Sequence, residues 1–167
     1  SLAKKQIPNI KLVFIGRKIG NADKLRAIIS KHNLNDISID QNYIKNFADI
    51  PAYLTMADIL FEPQTNFGFD EYRLPSKIHN YMAAGKTIMA FSNGFIRDLS
   101  HDEIVKIDFN TETAKDICEK IIYLYKNPDI RKETGLNARK KAELLFNKEK
   151  NVDDLLKFYN DIISSAW

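Results

Sequence analysis

The segment Arg73-Leu74-Pro75-Ser76-Lys77 sets two cations around a proline and a serine, directly before a short helical run that stops at Gly85. Backbone N–H groups at a helix start lack intrahelical partners and carry the positive end of the helix dipole. Cations placed beside them describe an anion site, most economically for a phosphate or diphosphate. Arg73 and Lys77, with Leu74 and Ser76 at the same spot, are the residues that would hold such an anion. Other chemistry is not legible. His32, His79 and His101 have no second ligand at helical spacing to hold a metal, and no serine elbow or Cys-His arrangement supports covalent hydrolysis. His79, beside Asn80, is the one histidine placed where a ligand could reach it.

These residues need a frame, and the flanking pattern supplies one. Ile59-Leu60-Phe61 is a short apolar run ending at Glu62-Pro63, which predicts a buried parallel strand. The polar stretch from Gln64 to Leu74 is longer than a plain connection requires. Pro75 suits the first helical position, Ile78, Tyr81 and Met82 share a face, Gly85 fits a left-handed cap, and residues 87–91 read as the next buried strand. Upstream, residues 10–15 predict a first buried strand closed by Gly16. The turn Gly16-Arg17-Lys18-Ile19-Gly20-Asn21 then leads to a helix with Leu25, Ile28, Ile29 and His32 on its apolar face. Two glycines without a third do not make a dinucleotide fingerprint. A tight turn is the plainer reading, although Gly16 and Arg17 stand at a strand end from which their backbone could approach a ligand.

A second strand is expected at residues 37–39, and a helix over 52–57 opened by Pro51 with Tyr53 and Leu54 inward, while Tyr43 and Phe47 either line the crevice or cover the sheet, the second being the plainer reading. Ser92-Asn93-Gly94-Phe95 reads as a turn into a short helix, and residues 104–107 as an edge strand. Ala114, Ile117, Cys118, Ile121, Ile122 and Tyr125 follow helical spacing up to the break at Asn127-Pro128. A further helix presents Ala138, Ala142, Leu145 and Phe146, and the last carries Val152, Leu155, Leu156, Tyr159, Ile162, Ile163 and Ala166, with Trp167 at its end. This order predicts an α/β fold, a Rossmann-like parallel sheet with helices on both faces and a helical C-terminal tail, as one domain over residues 1–167.

The composition agrees. The chain of 167 residues is 44% hydrophobic and 28% charged, ordinary for a globular protein with a sizeable core. A net charge of +3 is too mild for a dedicated nucleic-acid binder. The single Cys118 forms no internal disulfide and reads as a small core residue in a reducing, cytoplasmic setting. Neither a membrane-spanning run nor a leader is expected, and the basic band from Arg131 to Lys150 reads as a solvated face or as a peripheral contact with anionic lipid.

The stretch PSKIHNYMAAGKTIMA, preceded by IPAYLTMADILFEP, closely resembles the donor-binding, C-terminal half of group 1 glycosyltransferases of the GT-B fold. The resemblance implies a domain that binds a nucleoside diphosphate sugar as substrate, with no cofactor and no metal, and with Arg73 and Lys77 as the catalytic cations at the leaving diphosphate. It also implies transfer of a hexose with retention to a glycan or lipid acceptor bound by a separate N-terminal domain, toward which residues 148–167 would pack. Position by position, it puts Tyr72 and Asn80 where the family commonly carries two glutamates, one toward the sugar and one toward the ribose. Asn80 can still hydrogen-bond a ribose hydroxyl without a charge, and Glu71 is the acid nearest the first position. The small-residue turn Ser92, Asn93 and Gly94 corresponds to a loop near the donor phosphates and sugar. Three alternatives stay open: a non-catalytic Rossmann-like module descended from such a half, a flavodoxin-like partner-binding domain, and a sugar-nucleotide epimerase. The last would want acidic and histidine residues that are scarce here.

Overall fold

A computed structural model of the chain describes residues 2–16, 22–41, 43–63, 68–109 and 112–165. Strand β1 (Leu12–Ile15) leads to helix α1 (Ala22–Lys31) and strand β2 (Ser38–Gln41). Helix α2 (Ile50–Met56) then precedes β3 (Ile59–Glu62), α3 (Ile78–Ala83), β4 (Thr87–Phe91), α4 (Gly94–Asp98) and β5 (Val105–Ile107). Three helices follow, α5 (Thr113–Lys126), α6 (Pro128–Leu145) and α7 (Lys148–Ser165).

Every strand pairing is parallel, as the alternation of strands and helices requires. In β4, the central strand of the β3-β4-β5 sheet, side chains divide by the two-residue period between two cores. Ile88 and Ala90 join Ile78 and Met82 of α3, Ile96 of α4, and Ala138 and Ala142 of α6. Met89 faces the other way, with Ile107, Leu124 and the half-buried Ile117 and Ile121 of α5. Helices therefore cover both faces of this sheet. Each fully buried aliphatic side chain contributes about 1.5–3 kcal/mol of burial free energy.

The described strands form two hydrogen-bonded sheets where the sequence suggests one, because β1 pairs only with β2 and no ladder joins β1 to β3. The β1-β2 half is also thinly covered. Val13 is 54% exposed and no residue of α1 is buried: of the expected apolar face, Leu25, Ile28 and His32 are exposed and Ile29 is half-buried. Smaller corrections follow the same logic. In α5 the buried residue is Leu124, while Ala114 and Tyr125 face solvent and Cys118 is half-buried. In α6 the buried face is Thr134, Gly135, Ala138 and Ala142, shifted one turn from the expected one, and Leu145 is exposed. Phe47 is exposed as well, edge-on to Tyr43. Along α7 every described residue is exposed, its apolar stripe included.

Helix α6 fastens the β3-β4-β5 half. Its Gly135 lies so close to the turn after α3 that a Cβ there would sit 2.5 Å from the Gly85 carbonyl oxygen. Thr87 donates its hydroxyl to the Arg131 carbonyl, and the Arg131 guanidinium reaches the Leu124 carbonyl at 3.1 Å and the Asp58 carboxylate at 3.3 Å. Gly85 itself has φ +65°, the left-handed cap expected from its position. Gly135→Ala must push α6 off this turn, at an expected loss of about 1–3 kcal/mol and a Tm lower by roughly 2–4 °C per kcal/mol. Gly16→Ala, where a Cβ meets nothing within 4 Å, should melt with the wild type. Equal melting of both variants in a thermal scan would refute the contact.

Candidate functional site

In a parallel sheet the carboxyl ends of all strands point to one edge, where open α/β sheets bind ligands. Here β3 ends at Glu62, level with Ala90 of β4, and β4 ends one residue beyond that level at Phe91, with Ser92 next in the chain. The Ser92 amide is tied to Ile107 of β5 by an N–H···O bond of 2.8 Å, and Asn93 beside it is buried. The segment from Gly68 to Lys77 returns over this edge. It opens with a 3₁₀ turn, Gly68–Glu71, and Gly94 explains how it fits. With φ +45° and no side chain, Gly94 admits the Glu71 and Arg73 carbonyl oxygens, which a Cβ would meet at 2.9 and 3.1 Å.

Two ion pairs then fix the charges. Arg97 of α4 meets Glu71 at 3.3 Å, and its own carbonyl accepts the Lys106 ammonium at 2.8 Å. Lys77 lies 3.0 Å from the carboxylate of Glu62, which is only 2% exposed. Burial pushes the Tyr81 hydroxyl above its ordinary value, and the negative charge of Glu62 nearby adds to the shift. Counting Arg73 and Lys106, this edge gathers four cations against two carboxylates, each of which is ion-paired, and the excess of positive charge is suited to holding a polyanion.

The expected site residues are distributed as follows. Glu71, Arg73 and Gly94 come together, with Ser92 and Asn93 next to them on the same edge. Tyr72 and Leu74 are exposed on the loop, and the Ser76 carbonyl bonds the His79 ring at 3.0 Å. Gly16 ends β1 in the other sheet, and Arg17 lies outside the described residues, as do residues 64–67 of the loop. Asn80 lines an open groove of about 420 Å³ between α3 and α6, together with His79, Arg139 and Glu143. None of Glu71, Arg73, Lys77, Ser92 and Asn93 lines that groove. His79 packs edge-on to Phe146 there, 4.9 Å between ring centroids.

One expectation needs correction. Pro75 does not begin α3: the Ile78 amide bonds the Pro75 carbonyl at 3.0 Å in a turn, Lys77 is the cap, and the helix has six residues. So short a helix sums few peptide dipoles, and attraction for an anion rests on the side-chain cations. Glu62 and Arg97 were not anticipated. An acid closing an apolar strand before a proline was a usable signal for Glu62; nothing in the spacing marks Arg97. In the basic band, Arg131, Arg139 and Lys141 are engaged with Asp58, Glu143 and Glu103. Among the described residues, no group of His, Cys, Asp and Glu is placed to hold a metal ion, and no helix is long and apolar enough to cross a membrane.

The profile of the family described as glycosyl transferases group 1 matches residues 1–141. The chain belongs to this family, and its fold is that of the C-terminal half of the GT-B architecture. Sucrose-phosphate synthase from Thermosynechococcus elongatus matches with a TM-score of 0.78 at 18% identity, over 98% of this chain and 41% of that one. Anabaena HepE, solved in complex with UDP-glucose, matches with a TM-score of 0.73 at 16% identity, over 93% of this chain and 43% of that one. The C-terminal domain of the Francisella tularensis group 1 protein LpcC gives 0.70 at 18% identity, over 87% of this chain and 74% of that one. The chain thus spans less than half the length of the first two. No curated protein matches it.

Gly94→Ala should lift the Gly68–Lys77 segment off α4 by setting a Cβ against two carbonyls in a left-handed conformation. Hydrogen exchange should then quicken at residues 68–74 and stay slow in β4; unchanged exchange at 68–74 would show that the glycine does not hold the loop.

Proposed function

We propose that this chain is the donor-binding domain of a nucleotide-sugar-dependent glycosyltransferase, which transfers a hexose from a nucleoside diphosphate sugar to a glycan or lipid acceptor with retention of configuration. The observation that carries this reading is the gathering of Arg73 and Lys77 with Glu71 at the carboxyl edge of β3 and β4. When the sugar departs, negative charge gathers on the diphosphate oxygen. Cations fixed at that oxygen lower the barrier more than they tighten ground-state binding. Arg73 and Lys77 serve that purpose in this reading without calling on a metal ion or cofactor. Glu71 and Tyr72 border the sugar, Asn80 takes a ribose hydroxyl, and the Ser92-Asn93-Gly94 turn offers backbone to the phosphates. HepE was solved with UDP-glucose and Staphylococcus aureus TarM with UDP, which supports a nucleotide sugar as donor.

The exposed stripe of α7, from Val152 to Ile163, would pack toward an N-terminal domain that binds the acceptor. One observation favours a second reading as a non-catalytic module: Tyr72 and Asn80 occupy the positions of the family's usual glutamates.

Calorimetric titration of UDP and other nucleoside diphosphates into the natural full-length polypeptide tests the donor site. Arg73→Ala should weaken binding by about tenfold, near 1.4 kcal/mol, and Asn80→Ala by several-fold. Affinities unchanged in both variants would remove the donor site from this edge.

A further inference from the structure

The Lys77 contact singles out a buried acid that the proposed transfer does not use. We propose that Glu62 is a positioning residue, whose buried carboxylate pins the Lys77 ammonium at the carboxyl edge of β3 so that it meets the diphosphate already in place; this rests on the donor-site reading above.

The asymmetry of the pair carries the argument. Glu62 is 2% exposed and Lys77 is 56% exposed, so this is neither a surface ion pair of two mobile chains nor a fully buried one. A carboxylate taken out of water is costly unless a cation answers it, so the rigid partner holds the flexible one. Glu62 is rigid for visible reasons. It ends a strand laddered to β4, Pro63 follows it, and Pro75, just before Lys77, is fully buried. Tyr81, one helical turn beyond Lys77, has its hydroxyl pKa raised by burial first and by the Glu62 charge second. The 3.0 Å contact is an ion pair without hydrogen-bond geometry, since Glu62 Oε2 accepts no hydrogen bond, so the ammonium keeps N–H donors for a ligand arriving from solvent. Lysine is otherwise a point charge on a flexible stem, poorly suited to catalysis that depends on preset geometry.

A rival account has Glu62 only diluting the lysine charge, and the two differ in sign. The probe is inorganic pyrophosphate, titrated calorimetrically at low salt into the natural full-length polypeptide, so that neither base nor sugar matters. Lys77→Met should weaken binding about tenfold. Glu62→Gln keeps the side chain's shape without its charge and should weaken binding at least fivefold, and the double variant should bind no worse than Lys77→Met. The Lys77 ammonium signal in ¹⁵N NMR should be sharp in the wild type and broaden in Glu62→Gln.

Binding by Glu62→Gln that is unchanged or tighter, while Lys77→Met loses affinity, overturns the proposal and leaves the donor site standing. A fall in stoichiometry at constant affinity makes Glu62 merely structural and overturns it too. Wild-type binding in Lys77→Met, or none in the wild type, removes the diphosphate site itself and the proposal with it. Should Glu62→Gln fail to fold, Glu62→Asp, which keeps the charge one methylene back, should fold and bind several-fold more weakly; wild-type affinity there overturns the positioning role.

Discussion

The burial of β4 on both faces is the constraint on which the rest of the structure depends. A strand whose alternate side chains enter two separate cores can neither slip in register nor rotate, because either motion would exchange Ile88 and Ala90 for Met89 across the sheet. Through β4 the two flanking strands are held parallel and level, and their carboxyl ends are brought to one edge. The Gly85–Gly135 approach extends that constraint to α6, which can lie close to the turn because Gly135 has no Cβ. The chemistry at the edge is therefore placed by apolar packing, while the polar groups placed there contribute little to holding the sheet.

Most of this frame is legible in the sequence, for reasons that can be named. Strand β4 is an uninterrupted apolar run bounded by Gly85 and by Ser92-Asn93-Gly94, so its limits are marked by residues that cannot continue it. Helices α5 and α6 divide at Asn127-Pro128, where a proline without an N–H suits the first turn of the second helix. What periodicity leaves undetermined is which turn of a helix meets a neighbour. Gly135 meets the Gly85–Lys86 turn and Thr134 is buried while Leu145 is exposed, because close approach favours small residues and hydrophobicity alone does not encode distance.

The site is legible in type more than in arrangement. Cations beside Pro75 are visible in the sequence, but Glu62 answers Lys77 across the strand-to-helix connection, and Arg97 meets Glu71 only because Gly94 lets the loop down onto α4. Such pairs arise from tertiary approach between residues with no periodic relation. Pro75 shows the same limit locally: its fixed φ permits either a helix start or a turn, and packing of its buried ring accompanies the turn.

The separation of β1-β2 from β3-β4-β5 has a dynamic consequence. Cooperative units of a protein open at free energies that track how much each one buries. With no residue of α1 fully buried and β1 laddered to β2 alone among the described strands, the amino-terminal third can open while the β4 core stays closed. The molecule then has two rungs of stability, and a protease would find its first cuts in the upstream segment long before it reached the edge that carries Glu62 and Lys77.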